Sequence, residues 1–267
     1  MTLLRARSVG VRLGGNDIVR DVDLEVQTGD WVSIIGPNGA GKSTLLRALA
    51  GAGASSGTVE LDGEDVTSLR PNERALRVAW VPQTPTIPSG MSVLDYVLLG
   101  RTPHLHVLSS PKAADVVIAE DVLTGLDLVD LADRMMETLS GGERQRAVLG
   151  RVLTQDAPII LLDEPTSALD LGHQQEVLTL LNELRQDGSH AVVTTMHDLT
   201  LAGAYADSLV LMADGEVVSS GGAAHVLTEQ NIAAHYGADV TVSEVDGTVL
   251  VAPKIPRPPQ RPQTTED

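Results

Sequence analysis

The stretch "GPNGAGKST", from Gly36 to Thr44, constrains the fold of this chain more than any other segment. It matches the phosphate-loop pattern G-x-x-x-x-G-K-[ST], which requires a strand before it and a helix after it. The apolar run "WVSIIG" precedes the loop, and "KSTLLRALAG", a helical pattern closed by Gly51, follows it. A chance glycine-rich turn is the alternative. However, the chain has only three lysines, and one of them occupies this motif.

The loop offers the groups that hold a nucleotide phosphate. Its backbone N–H groups would surround an anion at the positive end of the following helix. Lys42 is expected to bridge the β- and γ-phosphates, and the Ser43 hydroxyl is expected to bind Mg²⁺. ATP and Mg²⁺ are therefore the predicted ligands. The predicted nucleotide contacts in the loop are Gly36, Pro37, Asn38, Gly39, Ala40, Gly41, Lys42, Ser43 and Thr44.

The composition favours an α/β fold, in which helices cover a parallel sheet. Hydrophobic residues make up 42% of the 267 residues, aromatic residues make up 2%, and Phe is absent. A core of Val, Leu, Ile and Ala suits parallel strands. The net charge of −17 argues against a nucleic-acid-binding surface. No apolar run approaches the ~18 residues that cross a bilayer. We therefore expect a cytoplasmic chain, peripheral on the inner face of the cell membrane only through a partner.

The order of patterns predicts one domain over residues 1–252. Residues 3–29 are predicted to form short antiparallel strands, and residues 88–156 an inserted helical subdomain. Strand–helix alternation resumes at "PIILLD", and hairpins are predicted at "SLVLMADGEVV" and "TVSEVDGTVLVAP". Residues 253–267 contain five prolines and are predicted to be a disordered tail.

Two acidic residues end the apolar run "IILLDEP". Ligands bind at the carboxyl ends of parallel strands, where Asp163 would hold Mg²⁺ and Glu164 would polarise the attacking water. A solvated acidic strand end is the alternative, and the two explanations are equally good without the phosphate loop.

Gln83 and His197 also follow predicted strands, in "RVAWVPQ" and "AVVTTMH". Gln83 could bind Mg²⁺ or orient water, and His197 could donate to a γ-phosphate. An ordinary loop glutamine and an ordinary strand-end histidine are the alternatives. For the six other histidines the ordinary explanation is favoured: His104, His106, His173, His190, His225 and His235.

The segment "TLSGGERQR" contains a helix start with two glycines in its first turn. Ser140 and Glu143 have the spacing of a capping box, which explains these two residues alone. Glycine costs about 1 kcal/mol inside a helix relative to alanine. Gly141 and Gly142 would be explained if a negatively charged group approached the backbone closely at this point.

Together these motifs resemble those of the ATP-binding cassette (ABC) ATPases, over about residues 3–250. The shared motifs, in order, are "GPNGAGKST", "VPQ", "LSGGE", "IILLDEP", "SALD" and "MHDLT". The resemblance implies a head-to-tail homodimer, in which the signature of one copy closes over ATP on the phosphate loop of the other. Ser140, Gly141 and Gly142 would then contact the partner's γ-phosphate, and Asp170 in "SALD" joins the predicted nucleotide-binding residues. Where many members place an aromatic ring under adenine, Leu13 is expected to offer apolar contact without a ring.

A finer resemblance, carried by "LLGRTPHL", "LDLGHQ" and "MHDLTLAGAYAD", is to importer cassettes for iron-siderophore complexes, haem and cobalamin. It implies an ATPase that drives uptake through a membrane permease and, indirectly, an external substrate-binding protein. Residues 83–101 are the candidates for permease contact. The alternative is a non-transport cassette, such as an iron–sulfur cluster assembly ATPase.

Overall fold

The computed structural model describes residues 1–106, 109–167, 169–186 and 188–255. The strands are β1 (Thr2–Leu13), β2 (Asn16–Gln27), β3 (Trp31–Ile35), β4 (Ser56–Leu61), β5 (Glu64–Asp65), β6 (Val78–Val81), β7 (Ile159–Asp163), β8 (Ala191–Thr195), β9 (Ser208–Ala213), β10 (Glu216–Gly221), β11 (Val240–Val245) and β12 (Thr248–Pro253). The helices are α1 (Lys42–Leu49), α2 (Pro71–Ala75), α3 (Val93–Leu98), α4 (Ala113–Gly125), α5 (Gly141–Gln155), α6 (Leu171–Gln186), α7 (Leu199–Tyr205), α8 (Ala223–Val226) and α9 (Glu229–Tyr236).

A six-stranded sheet with the order β10-β9-β3-β8-β7-β6 forms the centre of the described chain. All neighbouring pairs from β9 to β6 are parallel, and only β10 is antiparallel. A second sheet, β2-β1-β4-β5, is antiparallel throughout, and β11 pairs with β12 as a hairpin. The predicted α/β class, with an antiparallel sheet and a helical segment, is therefore confirmed.

Buried side chains form two clusters on opposite faces of the central sheet. In β3, Trp31 and Ile35 face one cluster, whereas Val32 and Ile34 face the other. The first cluster includes apolar residues of α3, α4 and α5, and the second includes those of α1 and the antiparallel sheet. Because β3 is covered on both faces, its sequence is continuously apolar rather than alternating.

The segment predicted to be helical holds α3, α4 and α5. The Ser92 side chain caps α3 by accepting the Asp95 N–H at 3.1 Å. Arg101 and Asp115 form a buried ion pair at 3.0 Å, and Arg101 also donates to the Thr154 carbonyl. This arginine therefore joins the turn after α3 to both α4 and α5.

The N-terminal strands differ from the prediction. We expected short strands over residues 3–29, but β1 and β2 have 12 residues each and form one long hairpin. Register shifts interrupt their pairing, and Ser8 and Asp21 have positive φ angles of 46° and 47°. Such bulges break the period-two pattern, so that one long strand looks like several short ones in the sequence.

Both predicted hairpins are present, as β9–β10 and β11–β12. The sequence does not predict helices α2, α7, α8 and α9. Pro253, the first residue of the predicted disordered tail, instead ends β12. The rest of that prediction, beyond residue 255, lies outside the described residues. The boundaries of a single domain ending at residue 252 stay a prediction.

Candidate nucleotide-binding and catalytic site

The phosphate loop connects β3 to α1, as the motif predicts. Gly36 has a φ of +148°, and a Cβ at this position would lie 2.2 Å from the Met212 carbonyl oxygen. Only glycine fits this close backbone approach. The buried Lys42 side chain folds back over the loop, and its Nζ donates to the carbonyls of Gly36 at 2.8 Å and Pro37 at 3.0 Å. The lysine ammonium is therefore held against the backbone of the loop that would receive a phosphate.

The electrostatic surroundings of Lys42 suit an anion. Burial lowers the pKa of the Lys42 ammonium, while the negative charges of Glu164 and Asp163 act in the opposite direction. A polyphosphate would add further negative charge at short range. It would therefore favour the charged form of the lysine and bind more tightly because of it.

Asp163 ends β7 and is almost completely buried. Its Oδ1 accepts hydrogen bonds from Ser43 Oγ at 3.0 Å and from Thr195 Oγ1 at 2.6 Å. The structure thus brings together two of the three predicted Mg²⁺ ligands. Thr195 is not among the predicted site residues, although the two threonines that follow the apolar residues of β8 are a signal in the sequence.

Glu164 has the left-handed backbone that few non-glycine residues adopt, with a φ of +51°. Its backbone N–H donates to Thr195 Oγ1 at 2.9 Å, which holds this turn in place. One carboxylate oxygen, Oε2, accepts from Gln83 Nε2 at 2.6 Å. The other, Oε1, lies 2.5 Å from His197 Nε2. The three predicted catalytic residues therefore meet at one carboxylate, whose side chain is only 9% exposed.

This convergence follows from the sheet topology. The phosphate loop, His197, Asp163 and Gln83 follow β3, β8, β7 and β6, which are four adjacent parallel strands. The carboxyl ends of parallel strands lie at the same edge, so residues far apart in sequence become neighbours. A carboxylate fixed at this edge is suitably placed to accept a proton from a water molecule.

Leu13 lies beside the same site. It is 51% exposed and lines a cavity of about 450 Å³ together with Ser43, Thr44, Gln83 and Asp163. Val11 and Trp80 also line this cavity and offer apolar contact to a base. Leu13 nevertheless supplies no ring on which a base could stack.

The signature turn, formed by Ser140, Gly141 and Gly142 at the start of α5, is separate from the phosphate loop. Ser140 caps α5: its Oγ accepts the Glu143 N–H at 3.3 Å, and the Glu143 carboxylate accepts the Ser140 N–H at 2.7 Å. Ser140 and Gly141 are exposed, and a Cβ at Gly141 would meet no atom within 4 Å. In the described part of the chain, no hydrogen bond joins Ser140, Gly141 or Gly142 to the phosphate loop.

The two glycines of the signature turn differ in their surroundings. A Cβ at Gly142 would lie 2.8 Å from Cδ2 of His173, one of the histidines regarded as ordinary. Asp170, the remaining predicted nucleotide-binding residue, has a side chain 70% exposed that accepts from His173. Hydrogen bonds from the His173 backbone and side chain hold the pKa of Asp170 below its usual range.

The donor set fits Mg²⁺ bound together with a nucleotide. Among the residues that the structure describes, no group of three His, Asp or Glu side chains could hold a metal by itself. Ser43, Gln83 and Asp163 offer oxygen atoms at one edge of the phosphate loop, and phosphate oxygens would complete the shell. This arrangement is typical of Mg²⁺, which keeps few protein ligands and binds substrate phosphates.

The parallel sheet, the phosphate loop and the acidic strand end define the class of phosphate-loop nucleoside triphosphatases. Within this class, the family model described as "ABC transporter" matches residues 19–167. The chain belongs to the ABC transporter family, and it is an ATP-binding ATPase in which hydrolysis is coupled to transport.

Similar proteins and structures agree with this assignment. The hemin import ATP-binding protein HmuV of Rhodococcus jostii is 42% identical over 255 residues, which cover 94% of this chain and 86% of that protein. The cobalamin import ATP-binding protein BtuD of Halobacterium salinarum is 39% identical over 253 residues, covering 94% of this chain and 63% of that protein. A metal-chelate type ABC transporter in an inward-facing conformation has a TM-score of 0.81 and 30% identity, with coverage of 94% and 96%. In the described residues, no helix is both long and apolar enough to cross a membrane.

Proposed function

We propose that this chain is the ATP-hydrolysing subunit of an importer for a metal chelate: hemin, cobalamin or an iron-siderophore complex. The names of the relatives support import of a chelate, since hemin and cobalamin are both metal-bearing macrocycles. Nothing in the comparisons favours the non-transport alternative. The observation that carries the ATP-hydrolysing role is the meeting of Gln83, Glu164 and His197 beside the phosphate loop.

In the proposed reaction, Glu164 is the general base that accepts a proton from the attacking water. Each of its oxygens already accepts one hydrogen bond, which fixes the carboxylate plane and leaves a lone pair for the water. Gln83 and His197 hold this orientation. With nucleotide bound, His197 would exchange its bond to Glu164 for one to the γ-phosphate, and Gln83 would offer its side-chain oxygen to the metal.

Charge on the phosphates is balanced by the phosphate loop. Lys42 would exchange its bonds to the loop carbonyls for bonds to phosphate oxygens. Ser43, Gln83 and Asp163 are the proposed Mg²⁺ ligands, directly or through water. When bound, Mg²⁺ neutralises charge on the β- and γ-phosphates.

We propose that two copies assemble head to tail. Ser140 and Gly141 are exposed and unconnected to their own phosphate loop in the described residues, and Gly142 is only half-buried. The start of a 15-residue helix with free N–H groups suits a phosphate of a second copy. The dimeric structure of the bacterial ABC transporter cassette MJ0796, with a TM-score of 0.75 and 26% identity, supports this assembly. Residues 83–101 are the proposed contact with the permease, which would hold the chain at the inner face of the membrane.

Uptake in cells that lack this chain tests the proposal. Radiolabelled hemin, cobalamin and a ferric siderophore are supplied in parallel to deleted cells, to cells complemented with the wild type, and to cells complemented with Glu164→Gln. We expect one uptake activity to be lost, and to be restored only by the wild type. Equal uptake of all three compounds in every strain would contradict the proposed cargo.

A further inference from the structure

His173, in the first turn of α6, touches Asp170 and the signature turn, two predicted nucleotide-binding segments that no hydrogen bond in the described residues joins to their own phosphate loop. Its backbone N–H lies 3.0 Å, and its ring Nδ1 2.7 Å, from Oδ1 of Asp170. A carboxylate oxygen can only accept, so Nδ1 carries the proton. The same ring lies next to Gly142 in the signature turn, on the side where a side chain at that position would begin.

This contact explains why position 142 is a glycine even in a single copy of the chain. An added Cβ would lie 2.8 Å from Cδ2, 3.1 Å from Nε2 and 3.2 Å from Cγ of His173. Because Cγ lies close as well as Cδ2 and Nε2, turning the ring away from the Cβ would disturb its hydrogen bond to Asp170. Otherwise the signature turn would have to shift. Gly141 has open space at the same test position, so the constraint is specific to Gly142.

A second contact joins the start of α5 to the loop between Glu164 and Asp170. Gln145, one turn further along α5, donates from Nε2 to the Pro165 carbonyl at 2.8 Å. Pro165 directly follows Glu164, at the start of the loop that leads to Asp170. The beginning of α5 is therefore tied to this loop at both ends, by Gln145 near Glu164 and by His173 near Asp170.

We propose that His173 is a positioning residue that holds Asp170 and the signature turn of one copy in a fixed relation, so that both reach the partner's nucleotide together. The proposal rests on the proposed function and its head-to-tail dimer. His173 does not touch the reacting atoms. Its effect is to order two exposed segments before the dimer forms, which lowers the entropy lost on closure.

A double-mutant cycle on the full-length chain tests the proposal. The proteins are the wild type, His173→Ala, Gly142→Ala and the double variant. Turnover is measured with Glu164 intact, and ATP-dependent dimer formation is measured by light scattering in the Glu164→Gln background. We expect His173→Ala to weaken both dimer formation and turnover about tenfold, the loss of about one hydrogen bond. Gly142→Ala should weaken dimer formation and turnover more than His173→Ala does.

The double variant gives the decisive comparison. If the ring is what the added methyl group meets, the double variant should dimerise no worse than Gly142→Ala alone. Independent effects would instead multiply. Multiplied effects, or wild-type behaviour of His173→Ala, would overturn the proposal. His225→Ala, at an exposed position on α8, is the matched control and should behave as wild type.

One further measurement excludes a general loss of structure. The affinity of the monomer for ATP should change less than about twofold in His173→Ala, because the phosphate loop is in another part of the same copy. A parallel loss of monomer affinity would overturn the positioning role. Failure of the proposed dimer looks different: the Glu164→Gln chain with His173 intact would then form no dimer with ATP.

Discussion

Replacing Thr195 by valine should disturb the site although it replaces none of the predicted nucleotide or metal ligands. The Thr195 side chain is fully buried, and valine keeps its shape while removing the hydroxyl. That hydroxyl donates to the Asp163 carboxylate at 2.6 Å and accepts the Glu164 N–H at 2.9 Å. Both acidic residues of the site therefore lose a partner in one substitution.

The magnitude follows from these two contacts. A hydrogen bond to a charged group contributes about 1.5–3 kcal/mol, and an unpaired buried N–H costs about 1–3 kcal/mol. Since one hydroxyl makes both bonds, we expect the free energy of unfolding to fall by about 3 kcal/mol, or roughly 6–12 °C in Tm for a chain of this size. Without its anchor, the strained turn at Glu164 relaxes and the carboxylate moves. We expect turnover to fall at least about tenfold, because small displacements of a catalytic group are costly.

The neighbouring threonine provides the control. Thr194 is also fully buried, and its Oγ1 accepts from Trp31 Nε1 at 3.1 Å, on the other side of the strand. Thr194→Val should cost about 1–2 kcal/mol by leaving the indole N–H unpaired, with turnover within about twofold of the wild type. Thermal unfolding and a phosphate-release assay measure both effects. Equal losses of turnover in the two variants, or a fully active Thr195→Val, would refute the reasoning.

Three other predictions concern different parts of the chain. Lys42→Ala should weaken MgATP binding at least about tenfold, since it removes the cation above the phosphate loop; the exposed Lys112→Ala is the control, and equal affinities in a titration would contradict the assignment. Leu13→Tyr should tighten ATP binding roughly two- to tenfold by supplying a ring under the base, and an unchanged dissociation constant would remove that idea. Hydrogen bonds from the Lys112 backbone and from Arg101 hold the pKa of Asp115 below its usual 3.8. The resulting stabilisation is present above pH 3.8 and is lost as the pH falls through the folded-state pKa. Asp115→Asn should therefore be less stable than the wild type at pH 7 in urea, with a difference that shrinks below about pH 4; a constant difference would contradict this cause.

The part of the site that the sequence predicts is the part encoded in contiguous motifs. Asp163 and Ser43 belong to such motifs, and the structure joins them by a hydrogen bond. In the sequence, Gln83 and His197 can also be explained as an ordinary loop glutamine and an ordinary strand-end histidine without a catalytic role. What distinguishes them is the strand order, which places both beside Glu164. Their roles in catalysis stay predictions.

What the sequence could not predict depends on contacts between distant residues. Thr195 is one of several apolar or small residues in β8 until the fold places its hydroxyl between Asp163 and Glu164. His173 looks like any helical histidine, because its contact with Gly142 crosses 31 positions of the chain. Bulges in the first hairpin likewise follow from long-range pairing and not from local composition.

The most direct test of the account compares Glu164→Gln with the wild type in two assays, ATP turnover and the mass of the protein with MgATP. The amide keeps the shape of the side chain but cannot accept the proton from water. We predict that the variant binds ATP with near wild-type affinity, loses at least about 100-fold in turnover, and accumulates as an ATP-bound dimer. Hydrolysis near the wild-type rate would show that Glu164 is not the base and would contradict the central claim.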